Sequence, residues 1–457
     1  MNNYKEELNN NQYQKEKFLK IPSNLENFIN TNTTKGKNNS GHDCYFINGY
    51  VELNEDDLIC DCCGEKMYIN SLNKVKIKHI PIGNIYSYVC IDKKQLQCSK
   101  CGTTKMQKIL FQADDHYITR QLENYTRDLL ATNNFTNKEI SYLTGVDRNA
   151  VKDIDKNRLI ELYTKDGKGK EVFKPKTYAK YLGIDEFKLH DGHKYATHII
   201  DYDTGHILWI EKGKKKAVVY DFINHVGLEW MGHVEAIACD MNSDFEQAFK
   251  DKCPHLKIVY DYFHIVKNFN DKVNKEIRKK EYKKLIDNKQ YEEAKLFKKS
   301  KYILVSNKST LEKKDGEVEK NKIIQKGSDL FKIPMITRKS EYLNRYDELI
   351  KSNELLCVAD LIKTKLQLAY SRNDVTLMAE DLIDIVILCC GTEDSHFKWF
   401  ANLIMTHYDG IITHAKIKIS SGKIEGINNK IKTLRRQAYG YPDDEYFFLK
   451  LFDMSRN

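Results

Sequence analysis

The sequence predicts an α/β protein with two smaller modules ahead of its sheet-forming core. Three observations carry that prediction. Strand-like and helix-like runs alternate between Tyr181 and Val266, two Cys-x-x-Cys-Gly pairs stand near the front, and a long lysine-rich helical stretch follows Lys267. With 457 residues the chain exceeds any single small module, since domains hold roughly 150 residues each. Hydrophobic residues at 41% and charged residues at 30% give a sizeable core under a highly charged surface, which excludes wholesale disorder. Lysine and arginine number 74 against 65 acids, and the net charge of +9 leans toward an anionic partner such as nucleic acid. No apolar run approaches the roughly 18 residues of a membrane-spanning helix, and the run Ile385 to Cys390 is among the longest. The start, MNNYKEELNNNQYQKEKF, lacks the apolar core of a signal peptide, so the twelve cysteines are expected in a reducing cytoplasm, where metal binding outranks disulfides.

Residues 1 to about 40 are rich in Asn, Lys and Thr and read as a mobile tail. Between Cys44 and Gln107, alternating runs such as KVKIKHIPI and IYSYVCI predict a small β-rich module. Helical spacing of apolar residues from Ile118 to Lys165 predicts a compact helical unit. The core follows as strand, strand, strand, helix, strand, helix, strand. Its strands are YLGIDEFKL, KYATHIIDY, HILWIEKG, HVEAIACD and LKIVYDYF, with Asp203-Thr204-Gly205 as a hairpin turn. From Lys267 to about Lys416 the pattern is helical, and a last helix begins after Gly422.

Cys60 and Cys63, then Cys98 and Cys101, form two knuckles, each followed by glycine. A tight turn aims two thiolates at one ion, and two such turns complete a closed, structural tetrathiolate zinc site. Cys62, Cys44 and Cys90 are alternative donors, whereas Cys389 and Cys390 lie in apolar helical surroundings and are expected in the core. In the helical unit Thr136 reads as an N-cap with Glu139 three residues on, Gly145 as the turn, and Asp147 as the next cap. That is a helix-turn-helix outline, and the second helix would present Arg148, Asn149 and Lys152 to DNA.

Three acids make sense together. Asp185 lies in the first core strand, Asp240 ends the fourth, and Glu425 sits in the helix near Gly422. In a ribonuclease H-like sheet, strand 1 lies beside strand 4, so these carboxylates would converge on one edge and hold two divalent cations for phosphoryl transfer. Glu186, Asp201, Asp203, Asp244 and Asp261 are nearby competitors.

The run from Ile184 to Tyr202, the segment CDMNSDFEQAFKDKCPHLKIVYDYFHIVKNFN and the segment SSGKIEGINNKIKTLRRQAYGY resemble the transposases of bacterial insertion sequences in the ISL-three family. The resemblance spans nearly the whole chain, because that family also carries a zinc finger and a helix-turn-helix before a DDE catalytic domain. It implies a catalytic triad of Asp185, Asp240 and Glu425, and it matches Asp261-Tyr-Phe-His264 to a D-x-x-H element that places His264 near the active site. The domain reading is then a flexible tail at 1–40, a zinc ribbon at 41–110 and a helix-turn-helix at 115–165. A ribonuclease H-like core follows at 178–270, a basic helical insertion at 271–415, and the core's final helix at 416–457.

From Lys267 to Lys301 thirteen lysines and arginines face six acids, and Lys279, Lys280, Lys283 and Lys284 are expected to line DNA. Lys432, Arg435 and Arg436 follow Glu425 and would clamp phosphates, with Lys432 and Arg436 on one helical face. Trp399 is expected in the core. The resulting expectation is a DNA transposase that binds its element's terminal inverted repeats, uses two Mg²⁺ and one structural zinc, and works as a homo-oligomer on element ends and target in the bacterial nucleoid. Its rivals are a zinc-containing DNA-binding regulator without catalysis and a ribonuclease H-like nuclease that cuts without joining.

Overall fold

The computed structural model describes residues 25–192, 194–241, 243–316, 341–419, 422–437 and 441–456. The chain divides into two compact units, residues 1–173 with 433–457, and residues 174–432.

The first unit opens with a five-stranded sheet. Its strands are β1 (Phe28–Lys37), β2 (Asp43–Val51), β3 (Met67–Ile82), β4 (Ile85–Cys98) and β5 (Thr104–Met106), in the order β1-β2-β4-β3, with β5 on β4. Only the β2–β4 pairing is parallel. The alternating runs of the sequence merge into a long β3–β4 hairpin that turns on the two residues Gly83 and Asn84. Its apolar face closes over Phe28, Ile47, Val51, Ile77, Val89, Ile91 and Phe111.

Residues 28–37 differ from the expected mobile tail, because they form β1, antiparallel to β2. The strand escapes a hydropathy reading because nearly all of its side chains stay exposed or half-exposed and Phe28 alone is buried. Residues 1–24 lie outside the described residues.

Three helices follow: α1 (Arg120–Ala131), α2 (Asn137–Thr144) and α3 (Arg148–Tyr163). Local chemistry fixes their ends. Thr136 and Glu139 form a reciprocal capping box on α2, Gly145 ends that helix at φ 71°, and Asp147 caps α3 by accepting from the Asn149 amide. Ile118, Leu122, Leu130, Ile140, Val146, Val151 and Ile154 meet at helical spacing to form their shared core. The helix α17 (Asp444–Met454), labelled in chain order after those below, packs on α3 through Leu159, Tyr446 and Leu449.

Beneath that contact lies a buried ionic network. Arg158 bonds Asp155 and Asp453 at 2.8 Å each, Lys450 reaches Asp155 at 3.0 Å, and the Tyr446 hydroxyl donates to Asp155 at 2.7 Å. Residues 444–454 were expected to extend the core's final helix. They instead form a separate helix in the first unit.

The second unit is built on β6 (Tyr181–His190), β7 (Lys194–Asp201), β8 (Ile207–Lys212), β9 (Ala236–Cys239) and β10 (Lys257–Tyr260), in the order β10-β9-β6-β7-β8. The first three run antiparallel, β9 runs parallel to β6, and β10 runs parallel to β9. The connections are α4 (Lys216–Val226) and α5 (Leu228–Met231) before β9, and α6 (Ser243–Lys252) before β10. Val218, Val219, Phe222, Ile223 and Val226 line one face of α4, the spacing of a helix laid on a sheet.

After β10 come α7 (Tyr262–Phe269), a π-helical turn at Asn270–Asn274, α8 (Lys275–Asp287), α9 (Tyr291–Phe297) and α10 (Lys301–Val305). They are followed by α11 (Tyr342–Ser352), α12 (Glu354–Ser371), α13 (Val375–Gly391), α14 (Ser395–Thr406) and α15 (Tyr408–Lys416). The helical stretch is not a separate body. Residues such as Phe269, Ile362, Ile385 and Phe400 belong to the same apolar cluster as Ile184, Ile199 and Ile237 of the sheet. Two expectations of core burial fail here, since Trp399 is 39% exposed and Cys390 is exposed while Cys389 is buried. On α14 the inward positions are Phe397, Phe400, Ala401 and Ile404, which leaves Trp399 facing out.

The helix α16 (Gly422–Gln437) carries Glu425. It approaches β6 at Gly183, where an added Cβ would stand 2.7 Å from Ile424 and 3.0 Å from Ile200. Only glycine permits that approach.

Candidate functional site

The cysteine centre is built by two turns at one end of the β3–β4 hairpin, where Met67 pairs with Cys98. In each turn the glycine amide returns to the first cysteine's carbonyl, Gly64 to Cys60 at 2.9 Å and Gly102 to Cys98 at 3.2 Å. Gly64 and Gly102 take φ of 69° and 73°, the left-handed conformation that lets the chain reverse. The four Sγ atoms of Cys60, Cys63, Cys98 and Cys101 lie within 4.8 Å of one another, with pairs at 3.5 and 3.6 Å. Four soft donors at such spacing fit a tetrahedral zinc ion. The alternative donors fall outside this cluster: Cys62 is exposed, Cys44 is buried in β2 beside the His42 carbonyl, and Cys90 lies in β4.

The acidic site lies where β6, β9, α7 and α16 meet. Asp185 is in β6, Asp240 follows the last residue of β9, and β6 pairs with β9 from Tyr181 to Gly183. Asp185 is tightly held, its Oδ1 accepting from the Glu186 amide at 2.8 Å and its Oδ2 from the Asn428 side-chain amide at 2.6 Å. Burial pushes the Asp185 carboxyl above its ordinary range and the charge of Asp240 adds to this, while the Glu186 amide, His264 and Asn428 oppose it.

Asp240 goes the other way. Burial alone would raise its carboxyl, but a hydrogen bond from His264 and that ring's charge, helped by the Met241 amide and Lys267, hold it below the usual value. His264 Nδ1 stands 3.2 Å from Asp240 Oδ1. Burial would depress the imidazole, and the carboxylates of Asp240, Asp185 and Asp261 outweigh it and raise it. Asp261 is buried and caps α7 by accepting from the Phe263 amide at 3.0 Å, which aims the helix that carries His264.

Helix α16 docks on the same strands. Lys423 donates to the Asp203 carbonyl at 2.7 Å, Ile424 packs at Gly183, and Asn428 reaches Asp185. Glu425 is exposed on this helix, three residues before Asn428 and so on a neighbouring face. Among the described residues, the cysteines are the only trio or larger set of candidate metal ligands within 4.8 Å of one another. Asp240 and His264 are in direct contact and Asp185 is coupled to both through its charge, but no three of Asp185, Asp240, His264 and Glu425 lie within 4.8 Å of one another.

The competing acids take other roles. Asp201 binds its own hairpin turn through the Asp203 amide and Thr204 hydroxyl, and Asp203 is exposed in that turn. Glu186 is half-buried with its carboxyl pushed up, first by burial and then by Asp185 and Asp240, against Lys214. Sequence reasoning passed over Asn428, although its position one turn after Glu425 was the available signal.

The basic residues divide. Arg148 and Asn149 are exposed at the start of α3, whereas Lys152 is 3.4 Å from Asp443 and lies over the Tyr446 ring. Lys280 pairs at 2.5 Å with Asp394, a buried carboxylate that caps α14, and Lys279 pairs with Glu276 at 2.8 Å. Lys283, Lys284, Lys432 and Arg436 are exposed, and Arg435 is half-exposed.

The transposase family model DDE_Tnp_ISL3 matches residues 182–451. The chain is 23% identical over 410 residues to the transposase for insertion sequence element IS1001 of Bordetella parapertussis, covering 88% of this chain and 90% of that protein. It is also 28% identical over 85 residues, 19% of each chain, to the transposase for insertion sequence element IS1557 of Mycobacterium tuberculosis. Among the described residues no helix is long and apolar enough to cross a membrane. With the family match running from the first core strand through the helix of Glu425 and into the last helix, the chain belongs to the ISL3 family of transposases.

Proposed function

We propose that this protein binds the terminal inverted repeats of its insertion sequence and cuts and joins DNA at a two-metal site of the ribonuclease H-like type. The observation that carries the reading is the sheet order β10-β9-β6-β7-β8: three antiparallel strands, then two parallel ones, with Asp185 in the first and Asp240 at the end of its parallel neighbour. The helix of Glu425 is bonded to Asp185 through Asn428 on that edge.

Carboxylate oxygens are the donors Mg²⁺ prefers, and the residues present fit that ion. When bound there, a Mg²⁺ pair supplies Lewis-acid activation of the attacking oxygen and stabilises the leaving one. Asp185 and Asp240 would hold the cations, with Glu425 turning in from α16 to complete the set. His264 fixes the Asp240 carboxylate and carries a proton beside it. Water attack frees a 3′ hydroxyl, which then attacks target DNA. The cysteine centre holds one structural zinc, and α2 and α3 act as a helix-turn-helix in which Arg148 and Asn149 meet the element ends. Lys283, Lys284, Lys432 and Arg436 offer exposed charge to phosphates, and two element ends call for a homo-oligomer.

The test is a supercoiled plasmid carrying both element ends, incubated with the protein and Mg²⁺. Asp185→Asn, Asp240→Asn and Glu425→Gln should each cut strand cleavage on the order of 10³-fold while end binding persists. Binding without cleavage in the unmodified protein would leave a regulator, and cleavage without integration a nuclease. Cleavage that survives Glu425→Gln would remove that residue from the site.

A further inference from the structure

Buried polar atoms without a hydrogen-bond partner are rare in folded proteins and mark places where something else is accommodated. Four of those in this chain belong to the strand neighbour, the cross-strand partner and a hydrogen-bond partner of Asp185, the strand neighbour Glu186 facing the other side of the sheet. They are Oε2 of Glu186, both ring nitrogens of His198, and Oδ1 of Asn428. Glu186 follows Asp185 in β6, His198 is its cross-strand partner in β7, and Asn428 donates to its Oδ2. Of these three side chains Asn428 alone touches the Asp185 carboxylate, and it does so from the helix that also carries Glu425.

We propose that Asn428 is a positioning residue for the acidic site: its amide N–H locks the Asp185 carboxylate and ties the Glu425 helix to β6, while its unpartnered Oδ1 remains to accept from a group bound between the carboxylates. The inference rests on the reading of Asp185 as a cation ligand. Hydrogen bonds to a ligating carboxylate orient it and tune its affinity, and their loss typically costs 10–100-fold in metal binding. Asn428 is suited to this role by its geometry. Ile424 sits one turn earlier against Gly183, so the helix cannot shift along the strand without a clash, and the amide meets Asp185 at 2.6 Å in a fixed register. An amide, unlike a third carboxylate, adds a donor beside Asp185 without adding negative charge.

The experiment is a Mn²⁺ titration of the full chain followed by calorimetry, with thermal unfolding measured in parallel and without DNA. The unmodified protein should bind Mn²⁺, and Asp185→Asn should abolish that binding. Asn428→Ala should weaken it about 10–100-fold. Asn428→Leu keeps the side chain's bulk and removes the orphaned carbonyl. It should leave the unfolding temperature unchanged or raised, yet weaken Mn²⁺ binding to a similar degree. A purely structural role predicts the opposite, a lower unfolding temperature with unaltered Mn²⁺ affinity in whichever variant folds, and that result would overturn the proposal. If Asp185→Asn binds Mn²⁺ as the unmodified protein does, the underlying two-metal reading fails instead.

Discussion

The cysteine cluster and the acidic residues are two sets of candidate cation ligands assembled in opposite ways. The cysteines come in pairs two residues apart on turns that form locally, and their sulfurs already lie within 4.8 Å of one another. Asp185, Asp240 and Glu425 are separated by 55 and 185 residues and stand in a strand, just after a strand and on a helix, related only by the sheet order and the docking of α16. Soft thiolates in a closed cage make a structural ion part of the fold, whereas hard carboxylates on a pre-existing fold leave room for exchange and chemistry. Stability should therefore depend on the first centre and activity on the second.

The sharpest break in that comparison is Cys98→Ser. Structural zinc contributes on the order of 10 kcal/mol to modules of this kind, so metal should be released and the β3–β4 hairpin should become protease-sensitive. The second unit should keep its own unfolding transition. Retention of zinc in the variant, measured by atomic absorption, would mean that the cage is not closed by these four residues.

Gly183→Ala probes the other side, because it changes no candidate ligand yet crowds the Ile424 and Ile200 side chains where α16 meets β6. Overpacking of this sort costs about 1–3 kcal/mol, and it should lower cleavage along with the second unit's stability. Unaltered cleavage with intact stability would show that the α16 docking does not set the site.

A third prediction concerns pH. His198 is fully buried, and burial holds its imidazole at about 4, against an ordinary value of 6.5. The unfolded chain therefore takes up a proton that the folded sheet does not, and stability falls as pH drops from 6.5 toward 4. His198 should contribute about 2 kcal/mol of the second unit's loss between pH 7 and pH 5, and His198→Leu should remove that share while leaving the one from His414, which burial also holds at about 4. A flat profile between pH 7 and pH 5 in the unmodified protein would contradict the burial.

The smallest effects belong to exposed charge. Arg148→Glu should weaken binding to element ends more than to random duplex, and joint neutralisation of Lys283 and Lys284 should weaken both alike and flatten the salt dependence by about two units of slope. Lys280→Ala should behave differently and destabilise the helices, because its partner is the buried Asp394. Indistinguishable behaviour of the three variants in salt-titrated binding would erase this division.

The sequence made some of these features legible and hid others for physical reasons. Knuckle spacing, the Thr136–Glu139 box, the Gly145 turn and the five core strands are local signals, written within a few residues, and each reappears in the structure. The exposed strand β1 carried too little apolar contrast to be seen. Trp399 looked like core because of its bulk alone. Lys152 and Lys280 read as free charges, since their partners Asp443 and Asp394 lie 291 and 114 residues away. The Asp185–Asn428 contact depends on how α16 crosses β6, which no local pattern encodes.

The packing of α17 on α3 has a consequence for synthesis on the ribosome. The buried Arg158–Asp155–Asp453 network joins residues made 295 positions apart, Arg158 and Asp453, with the whole second unit translated between them. At roughly 5–20 residues per second, Arg158 and Asp155 wait tens of seconds for Asp453. A chain that stops early leaves that charged face of α3 without its cover, so nonsense fragments should fold the first unit poorly, and that unit is completed only after the second unit has been made.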